Sequence, residues 1–270
     1  MATTSTLLRG TAFITGAASG IGKATAYALA QHGITKLAIT DINQGAAEKT
    51  ASELRSHFNN KVEVLPLKLD VTKETEVSDV VSTIVKEFGR IDVAVNNAGI
   101  GGAIQPSADH PYEEWKKTVE IDLNGVWLTS KAEIRQMLKQ EPLEPNSSRH
   151  FRGTIINIAS MYGVVGTSLS TPAVSYTAAK HGVVGLTKAD AIAYAPHRIK
   201  INALCPGYVM TPLMEANMNG PVMQKEVERT PIGRMASMEE MGDHVVLLAS
   251  PLSSFMVGSA MVADGGFTIQ

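Results

Sequence analysis

Short apolar and β-branched runs alternate along the chain with longer stretches of helical length. Several runs, such as 91–95, are largely continuous rather than alternating, which is typical of strands covered by helices on both faces. Such covering predicts an α/β fold, in which right-handed crossovers build one doubly wound parallel sheet. The seven predicted strands are Thr11 to Thr15, Lys36 to Asp41, Val62 to Leu69, Ile91 to Ala98, Gly153 to Ser160, Ile199 to Leu204 and Ala260 to Ala263.

The segments between the strands carry helix caps and two long excursions. Thr72 precedes an amphipathic run that ends at Gly89, and the segment 237–240 has capping-box spacing. The residues 141–152 read as a solvated loop, and 208–236 as a proline- and methionine-rich lid beside a substrate. Because no change of composition marks a second domain, residues 1–270 are predicted to form a single domain.

Composition narrows the class of protein. The 270 residues include 24 basic and 26 acidic side chains, so charge gives no case for nucleic acid or an anionic membrane as a partner. A hydrophobic fraction of 44% supplies a sizeable core, and no run approaches a membrane span. Without a signal-like start, the chain is expected to be soluble and cytoplasmic. One cysteine, Cys205, and seven histidines without metal-site spacing predict no disulfide and no metal.

A glycine-rich loop follows the first strand. Residues 15–22 have the spacing G-x3-G-x-G and lead into a helix, so backbone N–H groups there could approach a pyrophosphate at the positive end of that helix. The loop predicts a dinucleotide-binding sheet of Rossmann type, although a glycine-rich connection without a ligand is the alternative.

Polar residues close the next strands. Asp41 ends the second strand, where a carboxylate can accept hydrogen bonds from an adenosine ribose and repel a 2′-phosphate, so NAD is predicted over NADP. Asp70 with Val71 and the segment 96–99 end the third and fourth strands and are expected to line the same crevice. The alternatives are a helix cap or turn at Asp41, a helix cap at Asp70 and a simple turn at 96–99.

Three side chains suggest acid–base chemistry. Ser160 ends the fifth strand, and Tyr176 and Lys180 share one face of a helix. An adjacent ammonium stabilises a phenolate, which lets a tyrosine exchange protons near neutral pH. Ser160 would then hydrogen-bond the substrate oxygen on which charge develops. The alternative is an ordinary exposed tyrosine–lysine pair.

Together these residues resemble the short-chain dehydrogenase/reductase family from Gly10 to about Phe267. The family motifs occur in order as Thr15 to Gly22, Asp70, Asn96 to Gly99, Asn124, Ser160, Tyr176 with Lys180, Pro206-Gly207, Thr211 and Asp264 to Gly266. The resemblance implies that Tyr176 is the general acid/base, Ser160 polarises the substrate oxygen, Lys180 assists Tyr176 and holds the ribose, and Asn124 anchors a relay water. It also implies a homotetramer formed through the helices that contain Asn124 and Tyr176.

The resemblance also assigns the cofactor and substrate contacts. The predicted NAD contacts are Gly16, Ser19, Gly20, Ile21, Gly22, Asp41, Ile42, Asp70, Val71, Asn97, Ala98, Gly99, Tyr176, Lys180, Pro206, Gly207, Val209 and Thr211. The predicted substrate contacts are Ser160, Met161, Tyr162, Tyr176, Tyr208 and Met214. The segment 166–172 makes the spacing from Ser160 to Tyr176 longer than is common in the family, and this loop is expected to border the substrate.

The predicted function is NAD(H)-dependent interconversion of a secondary alcohol and a ketone. Methionines 210, 214, 218 and 223 in the lid favour oxidation of a bulky apolar alcohol such as a steroid, terpenoid or polyketide, unless they form only a helix stripe. The alternatives are reduction of a comparable ketone, a non-redox reaction that uses the cofactor, and a nucleotide-sensing protein without turnover.

Overall fold

The computed structural model describes residues 6–215 and 220–270. Its centre is a parallel sheet of seven strands in the order β3-β2-β1-β4-β5-β6-β7, with helices on both faces, which confirms the predicted fold class. The strands are β1 (Thr11–Thr15), β2 (Lys36–Asp41), β3 (Glu63–Lys68), β4 (Val93–Asn96), β5 (Gly153–Ile158), β6 (Ile199–Pro206) and β7 (Ala260–Ala263).

The sequence pattern located β1, β2 and β7 with their observed ends, and the other strands to within two residues at each end. The helices are α1 (Gly20–Gln31), α2 (Gln44–His57), α3 (Glu74–Phe88), α4 (Tyr112–Val119), α5 (Gly125–Met137), α6 (Val174–Tyr194), α7 (Pro212–Glu215), α8 (Pro221–Arg229) and α9 (Met238–Ala249). A π-helical turn, Glu120–Asn124, joins α4 to α5.

Two apolar layers enclose the sheet. One cluster joins one face of the strands to α1, α2 and α9, and the other joins the opposite face to α3, α5 and α6. Helices α1 and α9 approach closely because Gly242 carries no side chain: a Cβ there would lie 3.0 Å from the Cβ of Ala28. Because all seven strands are parallel, the residues that follow them meet along one edge of the sheet.

The helix ends match the predictions in part. Ser237 and Glu240 form the predicted capping box at the start of α9. Thr72 does not cap α3, whose N-cap is Lys73. Thr72 is instead bound to Asp70: its backbone N and its hydroxyl both donate hydrogen bonds to Asp70 Oδ1. The far end of α3 is as predicted, since Gly89 takes a left-handed conformation with φ of 87°.

The two long excursions from the sheet are the predicted loop and the predicted lid. Residues 141–152 contain neither helix nor strand, as predicted. The predicted lid, 208–236, contains α7 and α8, but Met218 lies outside the described residues. Within the described ranges no helix has the length and apolar content needed to cross a membrane. The same ranges place no group of three or more His, Cys, Asp or Glu side chains where they could hold a metal ion.

Candidate active site

The glycine loop wraps tightly against the end of β4. Gly16 has φ of 63°, and a Cβ on this residue would lie 2.9 Å from the Cα of Ala98. At Gly22 a Cβ would lie 2.3 Å from the carbonyl oxygen of Gly16. The Asn97 side chain fastens the turn by donating from Nδ2 to the carbonyl oxygens of Thr15 and Gly16 at 3.1 and 3.0 Å. Both positions require glycine because a Cβ would collide with the backbone of the loop or of Ala98.

The first turn of α1 is suited to an anion. Ser19 is the N-cap residue, but its side chain makes no capping hydrogen bond, and the first turn contains no acidic residue. Backbone N–H groups at a helix N-terminus without such a cap bind phosphate groups readily. Thr211, at the start of the lid, lies across the loop, with its Cγ2 3.8 Å from where a Cβ of Gly20 would be. The residues present therefore fit a dinucleotide pyrophosphate.

Asp41, at the end of β2, lies beside this cradle. Its Oδ2 accepts a hydrogen bond from the backbone N of Ala18 at 3.2 Å, and its Oδ1 accepts one from the backbone N of Asn43. The side chain of Ile42 is exposed beside it. Lys23, the basic residue nearest to the loop in sequence, forms an ion pair with Glu53. The carboxylate of Asp41 thus faces the glycine loop, while the ammonium of Lys23 is engaged elsewhere.

The remaining predicted cofactor contacts lie along the same sheet edge. Ala98 donates from its backbone N to Thr15 Oγ1 at 3.1 Å, and Asp70 forms the turn with Thr72 described above. Gly207 packs against Asp264, since a Cβ there would lie 2.6 Å from the Cα of that residue. Ile21 lies in the first turn of α1, and the rest of the set, placed on the neighbouring strand ends and lid, is Val71, Gly99, Pro206 and Val209.

Lys180 joins α6 to the end of β5. It is almost wholly buried, and its Nζ donates to the carbonyl oxygen of Ile158, two residues before Ser160, at 3.1 Å. The same Nζ lies 5.4 Å from the centre of the Tyr176 ring. Gly163 lets the turn after Ser160 pack against α6, because a Cβ there would lie 2.7 Å from the carbonyl oxygen of Lys180. The three predicted catalytic residues Ser160, Tyr176 and Lys180 therefore belong to one packed unit.

A buried carboxylate accompanies this lysine. Asp122 Oδ2 lies 3.5 Å from Lys180 Nζ, and Asp122 Oδ1 accepts a hydrogen bond from the backbone N of Ile100 at 2.8 Å. Burial raises the pKa of Asp122. Burial alone would lower the pKa of Lys180, but Asp122 and Tyr176 outweigh that effect, so the pKa of Lys180 is raised. Lys180 is therefore an ammonium throughout the neutral range.

Asn124 occupies a different side of the π-helical turn. Its Nδ2 donates to Glu120 Oε2 at 2.7 Å on an exposed face. The residue of this turn that contacts Lys180 is Asp122, which the sequence analysis did not single out. Because residues two positions apart on a helical turn project in different directions, the structure gives the place beside Lys180 to Asp122 rather than to Asn124.

Aromatic residues pack around Tyr176. Met161, Tyr162 and Phe267 form a buried cluster, against which Tyr176 and Tyr208 pack. The hydroxyls of Tyr162 and Tyr208 share a hydrogen bond of 2.6 Å. Burial, together with Tyr162 and a nearby carboxylate, raises the pKa of Tyr208, so its hydroxyl stays protonated. Four of the six predicted substrate contacts thus form one apolar wall with internally paired hydroxyls.

The lid is fastened to this wall by a buried acid that the sequence analysis also missed. Glu226 of α8 is 1% exposed and accepts hydrogen bonds from Tyr208 OH at 3.2 Å and Ser168 Oγ at 2.7 Å. Ser168 belongs to the long loop 166–172, so this loop and the lid meet at Glu226. Of the lid methionines, Met223 is buried, Met214 is partly buried and Met210 is exposed.

Two residues prove structural. Cys205 is fully buried, and burial raises the pKa of its thiol to about 11, which removes it as a nucleophile. His181 is exposed on α6, with its Nδ1 hydrogen-bonded to the carbonyl oxygen of Thr177.

The fold and the cradle define a nucleotide-binding α/β protein with an acid–base group at the carboxyl edge of its sheet. A family model described as Enoyl-(Acyl carrier protein) reductase matches residues 16–268. The short-chain dehydrogenase anuF of Penicillium roqueforti is 38% identical, with 97% of each chain covered. The chain belongs to the short-chain dehydrogenase/reductase family. It is therefore an oxidoreductase that acts on CH–OH groups and takes a nicotinamide cofactor, NAD or NADP.

Other similar proteins act on small alcohols. The cis-4-hydroxycyclohexanecarboxylate dehydrogenase of Sinomonas cyclohexanicum is 39% identical, covering 95% of this chain and 96% of that one. The cyclohexanol dehydrogenase of an Acinetobacter species is 36% identical, covering 95% and 94%. A crystal structure of NAD+-bound xylitol dehydrogenase superposes with a TM-score of 0.83 at 31% identity, covering 95% of this chain and 98% of that one.

Proposed function

We propose that the protein is an NAD(H)-dependent dehydrogenase that interconverts a cyclic, largely apolar secondary alcohol and its ketone. The observation that carries the proposal is the unit in which Lys180 is buried against Tyr176 and tied to the strand end before Ser160. The homotetramer and the cytoplasmic location that the sequence suggested remain predictions.

The preference for NAD is supported by charge. The Asp41 carboxylate faces the glycine loop, where it would bind ribose hydroxyls and repel a 2′-phosphate. The ammonium of Lys23, which could offset that repulsion, is paired with Glu53. A structural neighbour was solved with NAD+ bound, which agrees with this preference.

The substrate class is supported by the wall and by two relatives. Tyr162, Tyr208 and Phe267 pack edge to face, with ring centres 5.7 to 6.4 Å apart, and present apolar surface. Two of the similar proteins act on cyclohexane rings that carry a hydroxyl. A compact alicyclic alcohol fits both observations. The bulky apolar alcohols expected from the lid methionines are larger members of the same class of cyclic alcohols.

The chain's own residues then divide the acid–base work. Ser160 would donate its hydroxyl to the substrate oxygen and hold it toward Tyr176. The phenolate of Tyr176 would take the hydroxyl proton, and the Lys180 ammonium would stabilise that phenolate. Asn124 is bonded to Glu120 and does not face Lys180, so this scheme gives it no step. Hydride acceptance from the carbinol carbon is the chemistry that a bound nicotinamide supplies.

Replacing Tyr176 with phenylalanine tests the proposal. The phenyl ring keeps the contacts with the aromatic cluster but has no proton to exchange, so kcat should fall by about a thousandfold or more. NADH affinity, measured by fluorescence, should stay within about twofold because the glycine loop is untouched. The assay follows NADH absorbance with cyclohexanol, a polycyclic alcohol and xylitol as a polyol.

Tyr194→Phe is the matched control, because it makes the same substitution at the far end of α6. It should behave like the wild type. Near wild-type turnover in Tyr176→Phe would refute the assignment of the acid/base. A clear preference for xylitol over the ring alcohols would refute the substrate class alone.

A further inference from the structure

The buried carboxylate of Glu226 lies behind the aromatic wall and has no step in the acid–base chemistry. It is 1% exposed, and its two oxygens accept hydrogen bonds from different parts of the site. Oε1 accepts from Ser168 Oγ at 2.7 Å, and Oε2 accepts from Tyr208 OH at 3.2 Å. Arg229, one turn further along α8, lies 3.4 Å from Oε2 with its side chain 52% exposed. Glu226 is therefore a fixed acceptor of protons from the wall and from the loop 166–172.

The hydroxyl protons around Glu226 all point toward it. A carboxylate accepts hydrogen bonds and cannot donate them, so Tyr208 and Ser168 each use their single proton on Glu226. The Tyr208 oxygen must then accept from Tyr162 across their contact of 2.6 Å. The Ser168 oxygen must likewise accept from Thr171 across 3.0 Å. These four hydroxyls form two chains that run into Glu226, and none of them has a proton left for a ligand.

The first chain ends beside the residues that would hold the reacting oxygen. Tyr162 donates from its backbone N to Ser160 Oγ at 3.1 Å, and Tyr176 packs against the cluster that contains the Tyr162 ring. The second chain lies in the loop 166–172, between Ser160 and Tyr176 in the sequence. A ring alcohol whose hydroxyl is bound by Ser160 and Tyr176 would turn its remote substituents toward this wall, loop and lid.

Such a surface discriminates by charge. An apolar or neutral substituent meets ring faces there, whereas a carboxylate would lose its hydrogen bonds to water and gain none from hydroxyls whose protons are already used. The charge of Glu226 would repel it as well. The guanidinium of Arg229 does not compensate, because it is paired with Glu226 and lies over the Phe267 ring, 5.2 Å from the ring centre. The missing donors and the repulsion act in the same direction.

We propose that Glu226 is a specificity-determining residue, which makes the site select uncharged cyclic alcohols and reject cyclic alcohols that carry a carboxylate. The inference rests on the proposed function and narrows its substrate class. Glu226 acts through its charge and through the hydroxyls of Tyr208 and Ser168, whose protons it holds.

The test compares cis-4-hydroxycyclohexanecarboxamide with cis-4-hydroxycyclohexanecarboxylate in NAD+-dependent oxidation at neutral pH. The two have nearly the same shape, but the amide can donate to the hydroxyl oxygens of the wall, whereas the carboxylate is charged and only accepts. The wild type should favour the amide in kcat/KM by at least about a hundredfold. Glu226→Gln should lower this ratio at least about tenfold, because it removes the repulsion and releases Arg229 to bind the carboxylate.

Two further variants and a control give the reading its sign. Arg229→Gln removes the cation and keeps Glu226, so the preference for the amide should grow by about threefold or more. Tyr208→Phe keeps the ring packed on Phe267 but takes away the acceptor of Tyr162, whose free proton can then bind a carboxylate, so the preference should fall. Glu228→Gln removes an exposed charge from the same helix and should leave the ratio within about twofold of the wild type. Differences in the intrinsic reactivity of the two substrates cancel when ratios are compared between variants.

Thermal unfolding and NADH affinity show which variants are intact. Equal kcat/KM for the two substrates in the wild type would overturn the inference, as would a wild-type ratio in an intact Glu226→Gln. If Glu226→Gln does not fold, Tyr208→Phe decides: an unchanged ratio there, or failure of both variants to fold, would make the network merely structural. Failure of the proposed function has a different signature, namely full turnover in Tyr176→Phe or a wild type that oxidises neither uncharged nor charged ring alcohols.

Discussion

Replacing Glu133 with glutamine tests how a carboxyl group is accommodated in the middle of the core. Glu133 lies on α5 and is 0% exposed. Its Oε2 accepts a hydrogen bond from Asn96 Nδ2 at 3.0 Å, and its Oε1 has no partner in the described residues. Burial, opposed only in part by Asn96, raises the pKa of Glu133 to about 8. The folded protein therefore holds this group as a neutral acid at pH 7.

The sign and size of the effect follow from that pKa. The unfolded chain loses the proton near the ordinary pKa of 4.5, whereas the folded chain keeps it to about pH 8. Between these values the folded state binds more protons, so the free energy of unfolding falls as pH rises. At about 1.4 kcal/mol per pH unit, the loss reaches about 3 kcal/mol at pH 7 and about 5 kcal/mol above pH 8. These are upper limits, because relaxation around the ionised group reduces them.

Glu133→Gln has no proton to lose and should escape this decline. In urea unfolding from pH 5 to pH 9, the free energy of unfolding of the variant should exceed that of the wild type by an amount that grows from near zero to several kcal/mol. Glu87→Gln, at an exposed position of α3, is the matched control and should show no such divergence. Parallel curves for wild type and Glu133→Gln would refute the reasoning, since they would mean that Glu133 ionises as readily in the folded chain as in the unfolded one.

Two further predictions concern the cofactor and the lid. Asp41→Ser should reduce the ratio of kcat/KM for NAD+ to that for NADP+ by about tenfold to a hundredfold. The substitution removes a charged acceptor for the ribose hydroxyls of NAD+ and also removes the repulsion of the 2′-phosphate of NADP+. An unchanged ratio would mean that Asp41 does not contact the ribose. Glu226→Gln should raise KM for the alcohol about fivefold with little change in kcat, because it weakens the bonds from Ser168 and Tyr208 that fasten the lid. Glu228→Gln, exposed on the same helix, is its control, and equal KM values in the two variants would contradict the role of Glu226.

The fold and the cradle could be predicted because their signals are local. The central strands are continuous apolar runs in the sequence. The glycines of 16–22 have a spacing that indicates a turn whose backbone packs closely against its surroundings. The capping box at Ser237 is likewise contained within four residues. The contact of Asn97 is less local, since its amide bonds to Thr15 and Gly16 from 82 and 81 positions away. The sequence placed it at the correct edge but did not show that its side chain holds the loop.

The buried acids could not be found in the same way. Asp122 meets Lys180 across 58 positions, and the π-helical turn shifts the residues that face the core, so ordinary helical spacing does not indicate it. Glu226 meets Ser168 of the loop 166–172 across 58 positions, a contact that local spacing does not indicate. Glu133 did leave a signal: it lies one position before Ile134 on the stripe of buried residues that includes Val126, Ser130 and Met137. An acid on such a stripe should be examined as a buried group.

Asp122 and Glu133 lie on the same continuous run of helical turns, but their carboxyl groups face different partners. Burial raises the pKa of both, but Asp122 faces an ammonium whereas Glu133 faces an amide. A cation offsets the cost of burying a carboxylate, and an amide does so only in part, so the first carboxyl belongs to an ion pair and the second stays neutral. The two pH dependences should therefore separate. Glu133→Gln should change the pH dependence of stability but leave that of alcohol oxidation in place, because Glu133 is paired with Asn96 and not with Lys180.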